Sequence, residues 1–238
     1  GILSVAKHFP GHGDTAEDSH YTLPAVHHDR ARLDSVELLP FKRYIYDGYA
    51  GVMTGHLYVP ALDKARNKPV SMSRAVVTDL LQKELGFRGL CFTDALAMKG
   101  ATTRKSDNPS VMALLAGNDI LLAPAAPIND FAAVKEALEE GILDREEIEA
   151  KIIKILQYKY IAGLNDYRPV ETKGLSERLN SPHAAWLAAK LNEEAITLLK
   201  NEGDIIPLKQ LDKKKIAALS IGDGVGNEFQ KMLGRYDS

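Results

Sequence analysis

Short apolar runs alternate with helix-length amphipathic stretches from the first residues to about residue 160. Runs of four to six apolar residues are strand-length, and the longer stretches repeat with helical period. Strands separated by helices cannot be joined by tight hairpins, so they must lie parallel with the helices packed outside. Strands are expected at Ile2–Ala6, Gly51–Gly55, Leu90–Thr93 and Ile120–Ala123. Helices are expected over residues 30–46, 73–85, 109–116, 130–140 and 145–160. In the first, Leu33, Phe41, Tyr44 and Ile45 form the inward stripe, and Pro40 weakens its middle. In the second, Val76, Val77, Leu80 and Leu81 face inward. Asn108-Pro109 reads as a cap followed by proline in the first turn, and Gly117 as the stop. Asp144 and Glu147 have the spacing of a capping box.

Residues 1–164 therefore read as one α/β unit. This pattern by itself is compatible with a barrel or with an open doubly wound sheet. Four strands are half of the eight that a closed barrel needs. Residues 165–180 (NDYRPVETKGLSERLN) are polar and irregular and read as a linker. Residues 181–238 open with a long helix from Ser181-Pro182, carrying Ala185, Ala188, Leu191, Ala195 and Leu198 on one stripe. A strand at Ile216–Ile221 and a short helix over 227–234 follow, the opening of a second α/β unit. GDGVG between them is an incomplete dinucleotide fingerprint. The chain starts on a strand and stops just after this opening, and it reads as a fragment of a longer protein. Signals deciding between bacterial cytoplasm and periplasm would lie upstream.

Several classes are disfavoured. Thirty basic and 32 acidic residues give a net charge of -2, without the basic run of a nucleic-acid footprint. No run of 18 apolar residues is present, so no membrane span is expected. A single cysteine, Cys91, excludes an internal disulfide framework.

The chemistry concentrates in residues 7–20, KHFPGHGDTAEDSH, and in GLCFTDALAMKG around Asp94. Lys7, His8, Asp18, His20, His56 and Asp94 all fall at or just beyond expected strand ends. In a parallel sheet those ends share one edge, where active sites form. If residues 18–20 are extended, Asp18 and His20 point the same way, and the carboxylate fixes the imidazole tautomer and raises its basicity. Asp94 is suited to act as nucleophile, base or partner of a substrate hydroxyl. A carboxylate facing a proton donor suits glycoside cleavage. The loop glycines and Pro10 shape a turn able to close over a substrate. Two other classes compete. One is a metal-dependent hydrolase, since His8, His12, Asp14, Asp18 and His20 include zinc-ligand types, although a spaced motif such as HExxH is absent. The other is a catalytically silent sugar-binding module. Met98 and Cys91 read as packing residues.

KHFPGHGDTAEDSH with Pro24 resembles the signature of family 3 glycoside hydrolases, in particular the β-N-acetylglucosaminidase branch. GFRGLCFTDALAMKG resembles the nucleophile segment of that family, AGNDILLAP its last barrel strand, and ITLLKNEGDIIPL the lead into an α/β sandwich domain. The resemblance implies an α/β fold made of the C-terminal part of a TIM (β/α)8 barrel followed by the start of an α/β sandwich domain. It implies a retaining mechanism with Asp94 as nucleophile, His20 as general acid/base and Asp18 as its dyad partner. Lys7 and His8 would hold sugar hydroxyls, His56 would line the site, and Met98 would stand beside the nucleophile turn. The implied partner is a carbohydrate such as a peptidoglycan or chitin fragment, with no metal and no organic cofactor. Transfer to phosphate instead of water is a variant, because a histidine acid leaves room for an incoming anion that a glutamate would repel. Ala95 departs from the acidic residue usual after the nucleophile. The upstream half of the barrel, with its sugar-binding acid and arginine, is expected to be needed for activity.

Overall fold

The computed structural model describes residues 2–19, 21–66, 68–101, 107–222 and 224–236. The chain divides into two compact units, Gly1–Arg168 and Pro169–Ser238.

The first unit has an α/β fold. Its sheet has three parallel strands in the order β1 (Val5–Phe9), β2 (Gly51–Thr54) and β3 (Leu90–Thr93). Val5 pairs with Gly51 and Gly51 with Leu90, so the strands start level; Phe9, Thr54 and Thr93 end together. β1 begins three residues later than its apolar run. Ile2 is 99% exposed, because pairing with β2 starts only at Val5 and hydrophobicity alone does not make a strand. Lys7 and His8 consequently lie inside β1 rather than after it, across a register irregularity between Ala6 and Phe9.

The fourth expected strand reduces to a single bridge between Phe92 and Ile120. The backbone of this segment is occupied differently. Leu122 N–H donates to Thr93 Oγ1 (2.9 Å), while Leu122 O and Ala123 O accept from Leu96 and Ala97 N–H in the turn after β3. A ladder would need those same groups.

The expected helix over 30–46 is broken into α1 (Arg30–Arg32), a π-wound turn (Leu33–Glu37) and α2 (Leu39–Tyr46). Asp29 Oδ1 caps α1 by accepting from Arg32 N–H at 2.8 Å. Pro40 sits in the first turn of α2, where its missing N–H leaves no intrahelical bond unmade. Ala75–Glu84 is also wound as a π-helix and buries Val76, Val77, Leu80 and Leu81. α3 (Pro109–Ala116) carries the Asn108 cap and ends at Gly117, which adopts φ 114°. α4 (Pro127–Glu139) and α5 (Arg145–Ile161) follow, the latter capped by Asp144. The core between β1, β2 and the helices contains Phe9, Leu33, Leu38, Val52, Leu57 and Leu81. Each such side chain contributes about 1.5–3 kcal/mol when fully buried.

The second unit carries α6 (Leu175–Leu179), α7 (Pro182–Ala195) and α8 (Glu228–Leu233). Ser181 Oγ caps α7 through Ala184 N–H (3.1 Å), and Asn227 Oδ1 caps α8 through Gln230 N–H (2.9 Å). α7 stops at Ala195, before Leu198 of the expected stripe. Among the described residues no strand forms in this unit, including over residues 216–221. Leu219 and Ile221 are exposed there. An apolar strand is stable only with hydrogen-bonded neighbours and a packed face, and here it has neither.

Candidate active site

The level strand ends bring three candidates together. His8 comes from the C-terminal half of β1, His56 is the second residue after β2, and Asp94 directly follows β3. His8 Nε2 lies 3.6 Å from Asp94 Oδ2. The Asp94 side chain keeps 13% exposure, enough for one oxygen to meet a ligand. Its other oxygen, Oδ1, accepts from Ala95 N–H at 2.8 Å, and its own N–H donates to Thr54 O at 2.9 Å. The carboxylate is thus fixed to the backbone of its own turn. Met98 stands half-buried at the end of that turn, its N–H donating to Ala95 O.

His56 is fully buried rather than open to a cavity. Its Nε2 faces Ala95 O at 3.1 Å and its Nδ1 faces Ser71 Oγ at 2.8 Å. A nitrogen facing a carbonyl must carry the proton, which leaves Nδ1 to accept from the serine hydroxyl. Burial pushes the imidazole pKa down; the Ala95 carbonyl and the Asp94 charge oppose that without cancelling it. The ring is therefore neutral at pH 7. Behind it, Asn118 Nδ2 donates to Ser71 O (2.7 Å), and Thr54 Oγ1 donates to Asn118 Oδ1 (2.9 Å). A buried polar chain runs from Thr54 through Asn118, Ser71 and His56 to the turn that carries Asp94.

The loop after β1 supplies the rest. Lys7, His8, His12, Glu17 and Asp18 line an open cavity of about 510 Å³. His12 bridges Thr15 Oγ1 (2.7 Å) and Ser19 Oγ (3.2 Å), which ties the loop to itself. Asp18 is exposed, and its carbonyl accepts from Tyr21 and Thr22 N–H, so the chain turns here. The alignment of Asp18 with His20 expected from an extended segment rests on the placement of His20. His20 itself lies outside the described residues. Gly100 packs against this loop, its N–H donating to Ser19 O at 3.2 Å. A Cβ there would come within 2.8 Å of Ser19 O, 2.9 Å of Thr22 O and 3.0 Å of His56 Cβ.

Sequence reasoning missed Ser71, Asn118 and Thr54. Ser71 in PVSMS and Asn118 in AGND signal themselves only as polar residues within apolar runs.

A family model, the glycosyl hydrolase family 3 N terminal domain, matches residues 1–158. The chain belongs to glycosyl hydrolase family 3. Among curated relatives of this family 3 chain, the beta-hexosaminidase A of Pseudoalteromonas piscicida is 35% identical over 246 residues, spanning 94% of the chain and 40% of that protein. A solved family 3 β-N-acetylglucosaminidase from Paenibacillus sp. str. FPU-7 superposes with a TM-score of 0.76 at 35% identity, over 85% of this chain and 39% of that one. A beta-glucoside phosphorylase gives a TM-score of 0.79 at 25% identity, over 87% and 39%. The family 3 chain thus spans about 40% of the length of these relatives. No helix among its described residues is long and apolar enough to cross a membrane.

Proposed function

We propose that this chain is the nucleophile-bearing part of a retaining glycosidase that removes terminal β-linked N-acetylglucosamine from peptidoglycan- or chitin-derived sugars. The observation that carries it is Asp94: a carboxylate at the carboxyl edge of the sheet, one oxygen fixed by Ala95 N–H and the other 3.6 Å from His8. Similarity to a beta-hexosaminidase and to a family 3 β-N-acetylglucosaminidase supports the substrate class. Residues 1–164 are proposed as the C-terminal part of a (β/α)8 barrel, 165–180 as a linker, and 181–238 as a connecting helix with the opening of an α/β sandwich. The upstream part of the barrel would complete the site.

In the proposed reaction Asp94 attacks the anomeric carbon while His20 protonates the departing glycosidic oxygen, giving a glycosyl-enzyme and a free alcohol. His20, with Asp18 as its partner, then takes a proton from water. That water attacks the same carbon and releases Asp94 and the sugar with retained configuration. Lys7, His8 and Met98 contact the sugar. His56, being buried, acts as a positioning residue for the Asp94 turn. The likeness to a beta-glucoside phosphorylase favours one second reading, in which phosphate takes the place of water.

The test is release of p-nitrophenol from its β-N-acetylglucosaminide by the whole protein, with and without phosphate. Turnover in both buffers with free sugar as product is expected. Strict phosphate dependence with a sugar 1-phosphate product would select the second reading, and no turnover in either buffer would overturn both.

A further inference from the structure

Asp14, His28 and Glu37 converge from three separate segments: the loop after β1, the stretch before α1, and the π-wound turn behind it. Each offers one donor atom, and these atoms all lie within 4.8 Å of one another. His28 Nε2 is 2.7 Å from Asp14 Oδ2. Arg32 Nη2 lies 3.1 Å from Glu37 Oε1 and 3.6 Å from Asp14 Oδ2, so one guanidinium balances two carboxylates. The Glu37 side chain is only 7% exposed, and its second oxygen, Oε2, is buried without a hydrogen-bond partner. An ionised carboxylate withdrawn from water requires its lone pairs to be met. One of these is not.

We propose that Asp14, His28 and Glu37 form a binding site for one divalent transition-metal ion of the zinc class. One imidazole nitrogen and two carboxylate oxygens make a donor set that suits zinc, whereas magnesium and calcium sites are built from oxygens alone. Donors within 4.8 Å of one another need only a modest inward movement to reach the roughly 2.0–2.2 Å bonds of such an ion. Asp14 and Glu37 line a cavity of about 720 Å³, which leaves a further position open to water or to a small ligand. Arg32 is 44% exposed and can swing into solvent, so the ion takes over its charge-balancing place. The site shares only Asp14 with the zinc-ligand set suggested by the sequence. In that set His12 has both ring nitrogens engaged by Thr15 and Ser19. The bound ion fastens the loop of residues 10–19 to the turn at Glu37. This assignment does not depend on the glycosidase reading.

The experiment is a titration of the chelator-stripped full chain with zinc against a competing chromogenic chelator. Matched titrations use Asp14→Asn, His28→Gln, Glu37→Gln and Arg32→Gln, with magnesium and calcium as controls. One zinc per chain is expected. Each ligand substitution should weaken binding by at least about tenfold, since even outer partners of metal ligands cost about 10–100-fold. Arg32→Gln should tighten binding, a gain that misfolding cannot produce, and circular dichroism checks the fold of the others. Absence of stoichiometric zinc, binding that survives both Glu37→Gln and His28→Gln, or weakening by Arg32→Gln would each overturn the proposal.

Discussion

His56 Nε2 lies 3.1 Å from the carbonyl oxygen of Ala95, the residue directly after Asp94. The imidazole is fully buried, and its other nitrogen is held by Ser71. It therefore braces the backbone of the turn that carries the carboxylate. Replacing His56 by alanine leaves a cavity and strands the Ser71 hydroxyl, which should destabilise the fold by about 2–4 kcal/mol. Ser71→Ala should cost about 1 kcal/mol. In the proposed turnover of the whole protein, corrected for folded fraction, His56→Ala should lower kcat more than it raises KM. His56→Gln, which keeps an N–H donor, should recover part of the loss. An unchanged kcat in folded His56→Ala would show that the turn holds itself.

The same burial makes stability pH-dependent. The His56 pKa is held below its ordinary value of 6.5, so between the two values the unfolded chain binds more protons than the folded one. The stabilisation from neutral His56 is fully present above pH 6.5 and is lost as pH falls toward the depressed folded value. Denaturant midpoints measured from pH 7.5 to 5 should fall with acidification, and less steeply in His56→Gln. Equal slopes would assign the acid loss to other groups.

Asp94 can be tested with little structural cost. Asparagine keeps a side-chain oxygen able to accept from Ala95 N–H, so Asp94→Asn should fold normally. As the proposed nucleophile, its loss should reduce turnover by about three orders of magnitude or more. A folded variant within tenfold of the parent would remove Asp94 from that role.

Cys91 lies in β3 with no exposed surface. Burial, with the Asp119 carboxylate adding to it, pushes its thiol up to about 11. Thiolate is the reactive form, so the native chain should resist thiol-specific reagents at pH 8 and react fully once denatured. Rapid native labelling would mean that β3 opens locally.

The sequence made the parallel order legible because GVMT and LCFT are bounded by turn residues and separated by helix-length segments. The inward face of Ala75–Glu84 was legible for the same reason: Val76, Val77, Leu80 and Leu81 repeat with helical period. Non-local pairing was not legible. Ile2 and Leu3 look as strand-like as Val5 and Ala6, but only the latter find β2. Ile120–Ala123 looks like a strand, yet its polar groups go to Thr93 and to the turn after Asp94. In the site, strand-end placement brought out His8, His56 and Asp94. It said nothing of depth, so a buried brace and an exposed contact looked alike at His56. Ser71 and Asn118 were hidden because their partners lie 15 and 64 residues away in the chain, at His56 and Thr54.

Gly100 sets a clearance. It stands where the stretch following Asp94 meets the loop that runs through Asp18 and Ser19, and nothing separates them but a hydrogen atom on its Cα. The spacing between the stretch after Asp94 and the loop through Ser19 and Thr22 is therefore gauged by a residue with no reactive group of its own. A methyl group at this point would act as a wedge, prising the loop from the turn while every reactive side chain stayed intact. Any attempt to graft the KHFPGHGDTAEDSH loop onto another scaffold would have to bring this gap along with it.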